Sequence, residues 1–125
     1  MAIKTILVED NDTIRSNLIP AMEELANVEI VAVAETQVQA LNALETHANH
    51  WQLLVVDLFL KEGSGLGVLR ACTNRQPAQV ALVLTNYPTA EMRDRCTKYG
   101  ADGVYDKSTE LDAFFERCLS IGSGA

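Results

Sequence analysis

The sequence predicts an α/β protein, a doubly wound five-stranded parallel sheet in the order 2-1-3-4-5 with helices on both faces. Three observations predict it. Short apolar runs alternate five times with stretches of helical period, the pattern of successive strand–helix units. The runs are continuously apolar, as in Leu53-Leu54-Val55-Val56, which marks strands covered on both faces. The 125 residues suit one domain, expected as 1–125 with its core at about 3–121 and a short, flexible C-terminal tail from Ser120.

Thr5-Ile6-Leu7-Val8 is the first strand, ending at Glu9-Asp10. A polar Asn11-Asp12 start and apolar residues at Ile14, Leu18, Met22 and Leu25 predict the first helix. Pro20 lies inside it, so a kink or a missing hydrogen bond is expected there. Val28 to Ala34 is rich in β-branched residues and reads as the second strand. Thr36-Gln37-Val38-Gln39 forms a capping-box pattern opening a helix expected to bury Val38, Leu41 and Leu44. Leu53 to Asp57 is the third strand, and Gly63-Ser64-Gly65 leads as a flexible turn into a short helix around Leu66 to Thr73. Val80 to Thr85 is the fourth strand, followed by a helix from about Thr89 to Tyr99 that Gly100 stops with a left-handed cap. Gly103 to Asp106 is the fifth strand. The last helix runs from about Glu110 to Ile121, with Leu111, Phe115, Cys118 and Leu119 expected inward. The order expected for such a chain is flavodoxin-like.

Composition excludes several functions. Net charge is −7, with no Lys/Arg cluster, which argues against direct nucleic-acid binding. Nothing approaches the roughly 20 apolar residues of a membrane span, and no signal peptide is evident, so no membrane insertion is expected. Cys72, Cys96 and Cys118 make no CxxC pair and read as reduced thiols of a cytoplasmic protein, with Cys118 in the core. His47 and His50 lie one helical turn apart without further ligands nearby and read as solvated. Trp51 reads as packing at the lower edge of the sheet. Gly63-Ser64-Gly65-Leu66-Gly67 lacks both the GxGxxG spacing and a P-loop lysine.

In a doubly wound sheet, function gathers outside the carboxyl ends of the strands. Those ends deliver Glu9 and Asp10, Asp57, Thr85 and Lys107. Three carboxylates crowded together raise one another's pKa unless a cation is present, and a hard divalent ion such as Mg2+ suits them. Asp57 can then act as a nucleophile towards phosphorus. Lys107 and Thr85 can hold phosphoryl oxygens by charge and hydrogen bond, which is most of what phosphoryl transfer requires.

With Glu9-Asp10, Asp57, Thr85, Tyr105 and Lys107 in these places, the chain resembles the response-regulator receiver domain over nearly its whole length. The resemblance implies a stand-alone phosphorylation switch, not a turnover enzyme. Asp57 accepts a phosphoryl group from a sensor histidine kinase or a histidine phosphotransfer protein, with Mg2+ required (Mn2+ able to substitute). It implies Asp10 as a direct metal ligand, Glu9 acting mostly through water, one oxygen of Asp57, and the backbone carbonyl of Phe59. Thr85 would swing towards the phosphate and Tyr105 turn inward behind it, reshaping the face of the fourth helix, fifth strand and fifth helix. Tyr87, Met92, Arg93, Arg95, Tyr105 and Phe114 are candidates near that face, which would meet a downstream protein or a second copy in a homodimer.

The chain departs from the family at two places. Ser108 follows Lys107 where many members carry proline, and Lys61 also stands where proline is common. A cis peptide before a residue other than proline costs roughly 3 kcal/mol, so the Lys107–Ser108 peptide is expected to be trans or the loop more mobile. Phe59 and Tyr87, each two residues beyond Asp57 and Thr85, flank the site, and their bulk predicts a phosphoryl lifetime of minutes or longer. Two other readings compete: a Mg2+-dependent aspartyl-phosphate phosphohydrolase, and a pseudo-receiver scaffold that docks partners without phosphorylation. The first lacks a second Asp two residues after the nucleophile, where Phe59 stands; the complete acidic, hydroxyl and lysine set argues against the second.

Overall fold

The computed structural model describes residues 2–86 and 88–123, with side chains through residue 121. Tyr87 lies outside the described residues, as do Gly124 and Ala125 of the tail. Ten elements alternate: β1 (Ile3–Val8), α1 (Asp12–Leu25), β2 (Val28–Ala34), α2 (Gln37–His47), β3 (Leu53–Val56), α3 (Gly65–Ala71), β4 (Val80–Thr85), α4 (Ala90–Lys98), β5 (Gly103–Asp106) and α5 (Leu111–Ser123). The strands form one sheet in the order β2-β1-β3-β4-β5, and every pair is parallel. Fold class and strand order agree with the sequence expectation. Among the described residues, no helix is long and apolar enough to cross a membrane.

Strand alternation divides the core in two. Ile3, Leu7, Leu53, Val55, Leu82 and Leu84 pack against Leu18 and Met22 of α1 and Phe114 and Cys118 of α5. Ile6, Val8, Leu54, Val56, Ala81 and Val83 face the other way, towards Ala40, Val68, Leu69 and Cys96 of α2, α3 and α4. Trp51, 3% exposed, joins this second cluster. The helices start where polar side chains cap them: Asn11 accepts from the Ile14 amide, Thr36 from Gln39, Ser64 from Leu66 and Thr89 from Met92. Gln39 returns its amide oxygen to the Glu35 N–H, one residue before the cap. Gly100 takes φ +94° beyond α4, as expected of a left-handed cap.

Several burial expectations are corrected. Leu25 is exposed because the inward stripe of α1 continues by fours, through Leu18 and Met22 to Ala26. Val38 is 68% exposed while Ala40 is fully buried; at about 100° per residue the two lie on nearly opposite sides of α2. Leu119 is half-exposed, since Phe114 and Cys118 define the inward line of α5 and Leu119 sits beside it. Phe114, read as core or as partner surface, is fully buried, its ring edge-on to Tyr105 at 5.8 Å. The helical assignment runs unbroken through Pro20. Pro20 and Ser16, whose carbonyl loses its helical donor there, are both exposed. The tail expected to fray from Ser120 stays helical through Ser123, with the Ser120 hydroxyl donating to the Arg117 carbonyl at 2.6 Å.

Candidate functional site

The carboxyl ends of β1, β3, β4 and β5 converge because main-chain bonds extend the ladders by one residue. The Asp57 amide donates to the Val8 carbonyl at 3.0 Å, Glu9 to Ala34 at 2.9 Å, and Lys107 to Thr85 at 2.9 Å. Glu9, Asp57 and Thr85 are all buried, at 2%, 8% and 0% exposure. Polar groups so far from water need partners, and here they satisfy one another. Asp57 Oδ1 accepts the Thr85 hydroxyl at 3.1 Å and the Phe59 amide at 3.3 Å. Asp57 Oδ2 accepts Lys107 Nζ at 2.9 Å, and the same ammonium pairs with Glu9 Oε1. Glu9 Oε2 accepts the Asn11 amide at 3.3 Å.

Lys107 therefore bridges two carboxylates. Burial raises the Glu9 pKa above its ordinary value although the Lys107 hydrogen bond and charge pull it down. Burial alone would depress Lys107, but its bonds to Glu9 and Asp57 outweigh that and hold the ammonium above its usual pKa. Carboxylate oxygens of Glu9, Asp10 and Asp57 come within 4.8 Å of one another. Such a set of hard oxygen donors fits a divalent cation such as Mg2+ or Mn2+.

All five residues singled out at the strand ends thus meet in one place. Tyr105 does not join them. Pairing sets Val83 beside Val104, Leu84 beside Tyr105 and Thr85 beside Asp106, so alternation turns Tyr105 to the face opposite Thr85. Its ring packs on Phe114 beneath α5, and burial raises its phenol pKa. Val104 occupies the face shared with Val83. Tyr105, expected to turn inward behind Thr85, thus has its ring on the opposite face of the sheet from Thr85 in this structure. Phe59 extends from the loop after β3 and is 65% exposed, leaving its ring only a partial cover. The Lys107–Ser108 peptide is trans, as are all those described. The cysteines are buried free thiols, Cys118 pushed up to about 12 by burial, which leaves them inert.

Sequence reading missed two supports of the site. Arg15 of α1 donates to the Glu9 carbonyl at 2.7 Å and pairs with Asp12 and, at 2.8 Å, with Glu35. It thereby ties the loop after β1 to the loop after β2. Gln37 opens α2 and grips the loop after β3: its amide donates to the Glu62 carbonyl at 3.1 Å and its side-chain oxygen accepts from Ser64 at 2.9 Å. A Cβ on Gly65 would fall 2.2 Å from the Asp57 carbonyl oxygen. At Gly63, whose φ is +83°, a Cβ would fall 2.4 Å from Gln37 Cβ. The glycines expected to form a flexible turn instead form a close-packed joint. Asp12, the only local cue to Arg15, lies three residues before it; nothing local marks Gln37.

A groove of about 330 Å³ opens beside the site between α1 and α5, lined by residues that include Ile14, Leu18, Leu84, Asn86, Lys107 and Leu111.

Comparison with known proteins gives this geometry a family. Over 122 residues the chain is 24% identical to the DNA-binding transcriptional activator DevR/DosR of Mycobacterium tuberculosis, covering 98% of the chain and 55% of the activator. It is 28% identical over 124 residues to Ethylene receptor 2 of Oryza sativa subsp. japonica, covering 95% of the chain and 16% of the receptor. The chain thus spans about half of one relative's length and a small part of the other's. Among solved structures, the signal receiver domain of the response regulator NarL from M. tuberculosis superposes with a TM-score of 0.84 at 16% identity, over 99% of this chain and 98% of that one. CheY in the CheX-CheY-BeF3-Mg+2 complex of Borrelia burgdorferi does so at 0.82 and 12%, over 96% and 89%. At these identities the superpositions speak for the fold. The profile of the response regulator receiver domain matches residues 5–118, and the chain accordingly belongs to the receiver-domain family of two-component response regulators.

Proposed function

We propose that Asp57 is the phosphoacceptor of a phosphorylation switch. The observation that carries this reading is the Asp57 carboxylate at the end of the central β3. Thr85 and Lys107 hold its two oxygens, and Glu9 and Asp10 lie within ligand distance. In the reaction, an Asp57 oxygen attacks phosphorus, the new P–O bond forms, and the P–N bond of a phosphohistidine breaks. The electron pair leaves with the imidazole. Lys107 and Thr85, already aimed at the Asp57 oxygens, pass to the phosphoryl oxygens and stabilise the charge they gain in the transition state. Mg2+ or Mn2+ held by Glu9, Asp10, Asp57 and the Phe59 carbonyl would supply the positive charge that offsets three carboxylates and an incoming phosphoryl group.

The phosphodonor is a sensor histidine kinase or a histidine phosphotransfer protein in the cytoplasm, and the output is a protein partner met by the α4–β5–α5 face or a second copy docking there. The groove beside Lys107 supports an approach of the donor between α1 and α5. The chain acts as a switch and not as a turnover enzyme, since Phe59 stands where an acid/base Asp would serve a phosphohydrolase.

The test is incubation with acetyl phosphate and Mg2+ followed by mass spectrometry, wild type beside Asp57→Asn. A mass increase of one phosphoryl group in wild type alone is expected. No increase overturns the assignment and leaves the scaffold reading; an equal increase in the variant overturns it by placing the acceptor elsewhere than Asp57.

A further inference from the structure

The Lys107 ammonium reaches Glu9 and Asp57 from the turn that joins β5 to α5, and that turn has no proline and no cis peptide to fix it. Side chains fix it instead. Asp106 Oδ1 accepts the Ser108 amide at 2.8 Å and the Ser108 hydroxyl at 2.5 Å. Glu110 Oε1 accepts the Asp106 amide at 3.0 Å. With the Lys107 amide on the Thr85 carbonyl, three successive N–H groups around Lys107 each have a set acceptor.

The Glu110 carboxylate is in turn held from α4. Arg93 donates one nitrogen to Glu110 Oε1 at 2.8 Å and another to the Val104 carbonyl at 2.9 Å. One guanidinium therefore grips α4, the sheet-edge strand and the Lys107 turn together, a two-pronged geometry that lysine cannot copy. Both carboxyls are held below their usual pKa, Asp106 by the Ser108 hydroxyl and Glu110 by Arg93, so both are ionised at neutral pH.

A structural role alone would make Arg93–Glu110 a half-exposed ion pair of little worth. Its place argues for more, because it ends one residue from the amide of Lys107. We propose that Arg93 and Glu110 are positioning residues that aim the Lys107 ammonium at the Asp57 carboxylate. This rests on the reading of Lys107 as a phosphoryl-holding group.

The experiment measures phosphorylation by acetyl phosphate with Mg2+ for wild type, Arg93→Gln, Glu110→Gln, the double variant and Arg93→Lys, each also in a Lys107→Ala background. Arg93→Gln and Glu110→Gln are each expected to slow the rate about tenfold, as misplacement of a charged group at a reacting centre does. The double variant is no slower than either single one, Arg93→Lys recovers only part of the rate, and in the Lys107→Ala background Arg93→Gln changes nothing further. Binding of Mn2+ alone, followed by its paramagnetic resonance signal, stays within about twofold of wild type, because the three carboxylates are untouched. A wild-type rate in Arg93→Gln, or the same slowing without Lys107, overturns the proposal. A wild type that takes no phosphoryl group defeats the phosphoacceptor reading instead. The positioning claim is then decided by NMR of the Lys107 ammonium in the unphosphorylated protein. Its protected signal is expected to broaden into exchange in Arg93→Gln, and an unchanged signal overturns the claim.

Discussion

Phe114→Ala separates a core ring from a surface ring, and the structure commits to the core. Phe114 is fully buried, with Tyr105 edge-on at 5.8 Å and Phe115 tilted at 5.6 Å. Truncating such a ring removes its transfer free energy and leaves a cavity, together about 3–5 kcal/mol. At roughly 0.05–0.15 kcal/mol per residue, the 125 residues hold a total of about 6–19 kcal/mol. The loss is therefore a large fraction of the whole. For a chain of this size it corresponds to a fall of about 10–20 °C in Tm. Leu119→Ala on the same helix is the control: the residue is 46% exposed, so its truncation is expected to cost under about 1.5 kcal/mol. Urea unfolding followed by circular dichroism measures both, with the slope m unchanged if each variant keeps its compactness. A Phe114→Ala loss below about 1 kcal/mol, or one no larger than that of Leu119→Ala, refutes the burial argument and returns the ring to the partner-facing surface.

Two further outcomes follow from the site. Mg2+ is expected to raise the Tm of wild type in proportion to the logarithm of its concentration above Kd, while Asp10→Asn loses most of that rise; equal Mg2+-dependent shifts would remove Asp10 from the ligand set. The carboxyls of Asp106 and Glu110 titrate below their unfolded values, so their contribution is present above the unfolded carboxylate range of about 4 and fades as pH falls through the lowered folded values. Protection of the Ser108 amide, followed by hydrogen exchange with the intrinsic pH dependence divided out, should therefore hold from neutral pH into mild acid and fail only below that range. Failure near pH 6 contradicts the assigned sign.

The elements were legible because buried strands and amphipathic helices differ in period, and Glu9, Asp10, Asp57, Thr85 and Lys107 because each closes or follows an apolar run. What the sequence hid was phase. Val38 and Leu25 look like members of their stripes until the helix is turned so that Ala40 and Ala26 face the sheet. Tyr105 lies two residues before Lys107, but which face it takes depends on the pairing of β5 with β4, a register no local pattern states. The supports were hidden by distance along the chain. Ser64 and Gln37 are 27 residues apart, and Arg93 and Glu110 are 17 apart. Each joins surface polar residues of ordinary appearance.

The packed joint behind Asp57 bears on how this sequence can drift. Gly63 and Gly65 are closed to every side chain unless Gln37 or the Asp57 backbone gives way, and Gln37 is itself committed to the same loop. Between Asp57 and α3, variation is left to Phe59, Lys61 and Glu62, all of which are exposed. Paralogues that part ways in partner choice or phosphoryl lifetime should therefore differ at those three positions, while the glycines and Gln37 change together or not at all.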